Sequence, residues 1–157
     1  MVNAINTPAG GRDKEQRRVT PNRRRSRTVA LQVLYETNAV DHSAENVLAD
    51  RLDEYQLPLT VAQFAGTLVR GALANCEEID KIITTFAPNW PLNQMATVDR
   101  NILRMAIFEI MFSENAPPKV AVNEAVELAK VFGSESSPKF VNGVLGSVME
   151  TLKQKSQ

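Results

Sequence analysis

Val98-Asp99-Arg100-Asn101-Ile102-Leu103-Arg104-Met105-Ala106-Ile107-Phe108-Glu109-Ile110-Met111-Phe112, wound at about 3.6 residues per turn, carries apolar side chains around most of its circumference. A helix of that kind needs neighbours on nearly every side, so this segment is expected at the centre of an all-α protein. Asn93 or Thr97 is the expected cap at its start.

The flanking sequence supplies those neighbours. Towards the N-terminus, Cys76 to Phe86 has an apolar stripe of Ile79, Ile82, Ile83 and Phe86, and Pro88-Asn89-Trp90-Pro91 then forces a turn. Before it, Thr60-x-x-Gln63 reads as a capping box leading into Val61, Phe64, Ala65, Leu68 and Val69, with Gly66 and Gly71 able to admit close neighbours. Pro58 separates that helix from one starting near Ser43, which carries Val47, Leu48, Leu52 and Tyr55. The first helix is expected over about 24–38, with Val29, Ala30, Val33 and Leu34 inside and Arg25, Thr28, Gln32 and Glu36 outside. Towards the C-terminus, Pro117-Pro118 precedes a helix through Val120, Val122, Ala125, Val126, Leu128 and Ala129, closed by Gly133. Ser137 before Pro138 then caps a last helix that buries Phe140, Val141, Val144, Leu145, Val148 and Leu152. About seven helices are expected, without a strand pattern or an internal repeat.

Charge is distributed far less evenly than the net value of zero implies. Residues 1–27 contain eight bases against the two acids Asp13 and Glu15, so they carry +6 and the remainder −6. The segment 1–22 lacks apolar periodicity and is expected to be a disordered basic arm, leaving 23–157 as one helical domain. Arg23, Arg24, Arg25 and Arg27 stand where the arm meets the first helix. Clustered guanidinium groups neutralise phosphates and release counterions, so the tract points to a polyanion; a solubilising tail is the competing reading. Gln32 and Tyr35 lie farther along the same helix. Tyr35 offers a ring for base stacking, though by itself it reads as a half-buried packing residue.

Other features narrow the function classes. Cys76 is the one cysteine and His42 the one histidine, which argues against a disulfide framework and against a metal site and suits a reducing compartment. No phosphate loop, nucleophile with histidine partner or metal-ligand cluster is found, so neither enzyme nor cofactor is expected. Cys76 is expected to be inert because Glu77 and Glu78 oppose a thiolate. No apolar run approaches the roughly 20 residues that span a bilayer, and a cytoplasmic protein is expected. The junction from Gly133 to Phe140 gathers Ser136, Lys139 and Phe140 at a helix N-terminus suited to a phosphate, although capping and core packing also explain it. Asp99, Arg100 and Arg104 interrupt the central helix, either as its solvated edge or as a rim for a protein partner.

Arg23 to Tyr35, Val98 to Ala106, and Val120 to Gly133 followed by Lys139 to Leu145 resemble, in this order and spacing, the NusB family of bacterial transcription antitermination factors. The resemblance spans about 22–153. It implies an all-α fold of two small helical subdomains that binds single-stranded boxA RNA of ribosomal RNA transcripts together with the ribosomal protein NusE. That complex joins the elongating RNA polymerase and suppresses premature termination. By position, the resemblance puts Arg23, Arg24, Arg25, Arg27, Gln32 and Tyr35 on the RNA side. Ser136, Lys139 and Phe140 follow as a second RNA element, and Asp99 and Arg100 lie in the part facing the ribosomal protein. The segment before Asn22 is longer than the family's usual basic start, and Ser136 and Pro138 stand where polar or acidic residues are common in relatives. A helical protein-interaction adaptor without RNA binding is the alternative. The N-terminal domain of RNA cytosine methyltransferases is similar in fold, but the chain ends at Gln157 with no room for a catalytic domain.

Overall fold

The computed structural model describes the backbone of residues 10–39 and 43–155 and the side chains of residues 22–37 and 43–155. His42 and the first part of the expected arm lie outside the described residues. Among the described residues seven α-helices follow one another: α1 (Gly10–Ala39), α2 (Ala44–Tyr55), α3 (Leu59–Ala74), α4 (Cys76–Phe86), α5 (Thr97–Phe112), α6 (Pro118–Phe132) and α7 (Ser137–Lys155). A 3₁₀ turn at Leu92–Gln94 precedes α5, and no strand occurs among the described residues. None of their helices is long and apolar enough to cross a membrane.

α5 takes the central place its sequence demands. It touches α1, α3, α4, α6 and α7, and it buries Ile102, Leu103, Met105, Ala106, Ile107, Phe108 and Ile110. On one side α1 packs on α2 and α3; on the other, α7 packs on α4 and α6. The two groups are the two small helical subdomains, joined through α5 into one continuous apolar core. Gly71 of α3 marks the tightest join. A Cβ there would stand 2.1 Å from the Phe108 ring, so only glycine lets that ring lie against the helix backbone.

Several helix boundaries differ from the sequence pattern. α1 extends back past Arg24 to Gly10, through Pro21, whose missing N–H removes one intrahelical hydrogen bond. α3 already begins at Leu59 behind Pro58, whose φ of −55° leads the chain into the helix, so Thr60 lies inside it and the capping box is not made. Ala96 holds the cap position of α5, and Thr97 is its first helical residue. Ser43 stands at the cap of α2 without a side-chain bond, and that helix ends at Gln56 in the left-handed region (φ 48°). Gly133 follows α6 in extended backbone. Its lack of a side chain serves proximity, because a Cβ would meet the Ser137 Cβ at 2.5 Å.

Candidate nucleic-acid interface

Successive helix positions rotate by about 100°, so an arginine tract that is contiguous in sequence points several ways once wound into α1. Arg23 lies over the Phe64 ring of α3, 4.5 Å from its centroid, and donates to the Asn115 carbonyl. Arg24 turns to α6, where its Nε and Nη2 donate to the two carboxylate oxygens of Glu124, each at 2.9 Å. Its guanidinium is held still more firmly protonated than usual, by those hydrogen bonds first and then by the field of Glu124. Arg25 is exposed.

Arg27 departs from the expectation placed on it. Its side chain is 3% exposed and pairs with an equally buried Glu109 of α5, Nε and Nη2 donating at 3.0 and 2.7 Å. Burying such a pair requires that each partner satisfy the other, so the Arg27 charge is committed to the interior and is withdrawn from the phosphate-facing set. Only three of the four tract arginines therefore reach the surface: Arg23, Arg24 and Arg25.

α1 and α6 both pack on α5, and the side-chain contacts between them ascend both helices together. Arg24 meets Glu124 at one end, Arg27 lies among Ala121, Ala125 and Leu128, and Leu31 and Tyr35 share a cleft with Phe132 at the other. That cleft has a volume of about 460 Å³ and is lined by Leu31, Gln32, Tyr35, Tyr55, Val98 and Phe132, with Glu36 and Arg51 at its side. Tyr35, Tyr55 and Phe132 are 47%, 39% and 38% exposed, so three rings present area to whatever enters. Arg51 is held by Glu36 and Glu54. The Tyr55 hydroxyl lies 3.5 Å from the Gln32 amide oxygen. Because residues spaced by three and four share a helix face, Arg25, Thr28, Gln32 and Tyr35 form a stripe that leads from the arginines into the cleft.

The second expected element lies next in the chain to the cleft, since Phe132 precedes Gly133. Its serines bind one another. Ser137 accepts from the Ser134 N–H at 2.9 Å, its hydroxyl lies 3.1 Å from that of Ser134, and the Ser136 hydroxyl lies 3.2 Å from the same atom. Ser136 and Lys139 are exposed, while Ser137 is buried. Phe140 does not line the cleft; its ring meets Trp90 edge-on, with centroids 6.2 Å apart, and Trp90 is 56% exposed. Sequence reasoning had placed Trp90 only in a turn, Tyr55 on an apolar stripe and Phe132 within a longer motif, so their exposure was not anticipated.

The charged residues of α5 serve different ends. Arg104 donates to both carboxylate oxygens of Asp80 at 2.8 and 2.9 Å, tying α5 to α4. Burial opposes its charge, but Asp80 outweighs that and the pKa is raised. Arg100 donates from Nη1 to the Leu92 carbonyl at 3.1 Å. Asp99 is buried, and neither its Oδ1 nor the Arg100 Nε has a hydrogen-bond partner among the described residues. Nearby, burial pushes the Cys76 thiol up; Arg104 opposes this and Asp80 reinforces it, so the chief cause is burial rather than the adjacent glutamates.

The family model described as "NusB family" matches residues 24–150. A transcription antitermination protein NusB from Roseiflexus sp. (strain RS-1) is 48% identical over 135 residues, covering 85% of this chain and 95% of that protein. Among solved structures, T. maritima NusB superposes with a TM-score of 0.76 at 36% identity, over 82% of this chain and 90% of that one. A chain from a crystal structure of antitermination factors NusB and NusE in complex with dsRNA gives a TM-score of 0.76 at 27% identity, over 83% and 98%.

Proposed function

This chain belongs to the NusB family, and on that footing we propose that it is a transcription antitermination factor. It holds single-stranded, boxA-like RNA of ribosomal RNA transcripts jointly with the ribosomal protein NusE, and the assembly acts on the elongating RNA polymerase to prevent premature termination. It works by binding, without a catalytic step. The carrying observation is the stripe Arg25–Thr28–Gln32–Tyr35 opening into the cleft with Tyr55 and Phe132. Arginines at one end supply a salt-dependent phosphate term, and exposed rings at the other suit unstacked bases. A duplex hides its bases from such rings, which favours a single strand even though one relative is known in complex with dsRNA.

In this reading Arg23, Arg24 and Arg25 meet phosphates, Gln32 and Tyr35 meet bases, and Ser136, Lys139 and Phe140 extend the path beyond the cleft. Asp99 and Arg100 belong to the face for NusE, at the start of α5. Arg104, engaged by Asp80, supports that face from behind. The basic arm over 1–22 adds a further electrostatic tether. The test is a titration of short boxA-like RNA, single-stranded and duplex, with and without NusE. Tighter binding of the single strand when NusE is present is expected, through effective concentration. Binding indifferent to NusE, or absent altogether, would favour the adaptor reading instead.

A further inference from the structure

Arg24 and Glu124 form a lopsided pair: the arginine side chain is 56% exposed, the glutamate only 8%. The contact uses one edge of the guanidinium, Nε with Nη2, and consumes both carboxylate oxygens. Arg24 Nη1 has no hydrogen bond among the described residues, and more than half of the side chain is exposed. Two roles are open to a buried carboxylate in this position. It can compete with an RNA phosphate for the arginine, or it can grip the arginine from behind and present the other edge.

The burial decides between them. A phosphate that pulled Arg24 away would leave a buried carboxylate without its counter-charge, and that penalty exceeds what one solvent-exposed phosphate contact returns. A phosphate that approached the Nη1 edge would leave the pair intact and find a guanidinium already fixed, with little side-chain freedom left to lose. We propose that Glu124 of α6 is a positioning residue for the RNA site, holding Arg24 by its Nε–Nη2 edge so that the Nη1 edge is presented to a phosphate. This rests on the RNA-binding reading and adds to it a residue on a different helix, one that itself makes no contact with RNA.

The test uses the full chain with NusE and a short single-stranded boxA-like RNA, titrated over a series of salt concentrations. Glu124→Asp keeps the charge but withdraws the carboxylate by one methylene, so it breaks the fork without altering the net field. It is expected to weaken RNA binding about fivefold, in line with the strength of a charge-assisted bidentate pair, and to flatten the salt dependence by part of the roughly 0.7 that one single-strand phosphate contributes. Arg24→Ala should remove all of that portion. In the Arg24→Ala background, Glu124→Asp should change nothing further, a non-additivity that a merely structural role would not produce. Glu124→Gln, which lifts any competition, should weaken binding too.

Tighter binding by Glu124→Gln would overturn the proposal in favour of competition. An equal loss from Glu124→Asp with and without Arg24 would overturn it in favour of a structural role. If the unaltered protein binds RNA and Glu124→Asp binds it equally well, only the positioning role falls. If the unaltered protein binds no RNA, the functional reading falls with it.

Discussion

Two arginine–glutamate forks leave the same helix three residues apart, with the same atoms and nearly the same lengths. Arg24 holds Glu124 at 2.9 and 2.9 Å, and Arg27 holds Glu109 at 3.0 and 2.7 Å. Burial separates them. The inner fork is closed to water on both sides, 3% exposed at each partner, whereas the outer one buries only its carboxylate. Identical chemistry therefore serves two purposes: the inner fork fixes α1 on α5, and the outer one leaves part of a charge available at the surface.

The sharpest way to break this contrast is to remove one partner of each fork. Arg27→Ala should cost roughly 3–5 kcal/mol of stability in urea unfolding, because it strands the Glu109 carboxylate in the core; a loss below about 1 kcal/mol would show that the inner fork is no more structural than the outer. Next in size, Tyr35→Ala should leave unfolding almost unchanged and weaken RNA binding by about 1–3 kcal/mol, the range of one lost base stack. Equal effects on stability and binding would make Tyr35 a packing residue. Arg24→Ala should weaken RNA about tenfold and, because it strands the largely buried Glu124 carboxylate, cost about 1–3 kcal/mol in the same urea experiment, less than the fully enclosed inner fork. The smallest change is expected from Arg23→Ala. Loss of its position over Phe64 should lower stability by about 0.5–1 kcal/mol, visible as a small shift in the thermal midpoint.

Much of the fold was legible because apolar periodicity and proline punctuation act locally. Ile102, Leu103, Ala106 and Ile107 announce a central helix, and all four are buried. Exact helix starts were less legible, as at Thr60, because proline geometry overrode a good capping pattern. In the candidate site, the outward position of Gln32 and the place of Tyr35 at the edge of the apolar face were readable from helical spacing. Arg27 was misread for a physical reason: its partner Glu109 lies 82 residues away, and a charge block looks uniform until it is wound into a helix. A signal was present nonetheless. Arg27 falls on the same stripe as Ala30 and Leu34, and Glu109 sits between Phe108 and Ile110, so each charge occupies an apolar face and needs an opposite partner. Tyr55 and Phe132 entered the cleft from separate helices, an adjacency that only tertiary packing creates.

The shared direction of α1 and α6 also polarises the surface between them. Tyr35 and Phe132 stand in the last turns of their helices, so the cleft lies beside two carboxyl ends, each carrying partial negative charge and carbonyls without intrahelical partners. Val98 in the first turn of α5 and Arg51 line the same cleft, so an amino end and a guanidinium face those carboxyl ends. The tract arginines lie farther back, towards the amino end of α6. The surface between the two helices therefore changes character along its length, from paired arginines towards the amino end of α6 to aromatic rings beside the carboxyl ends.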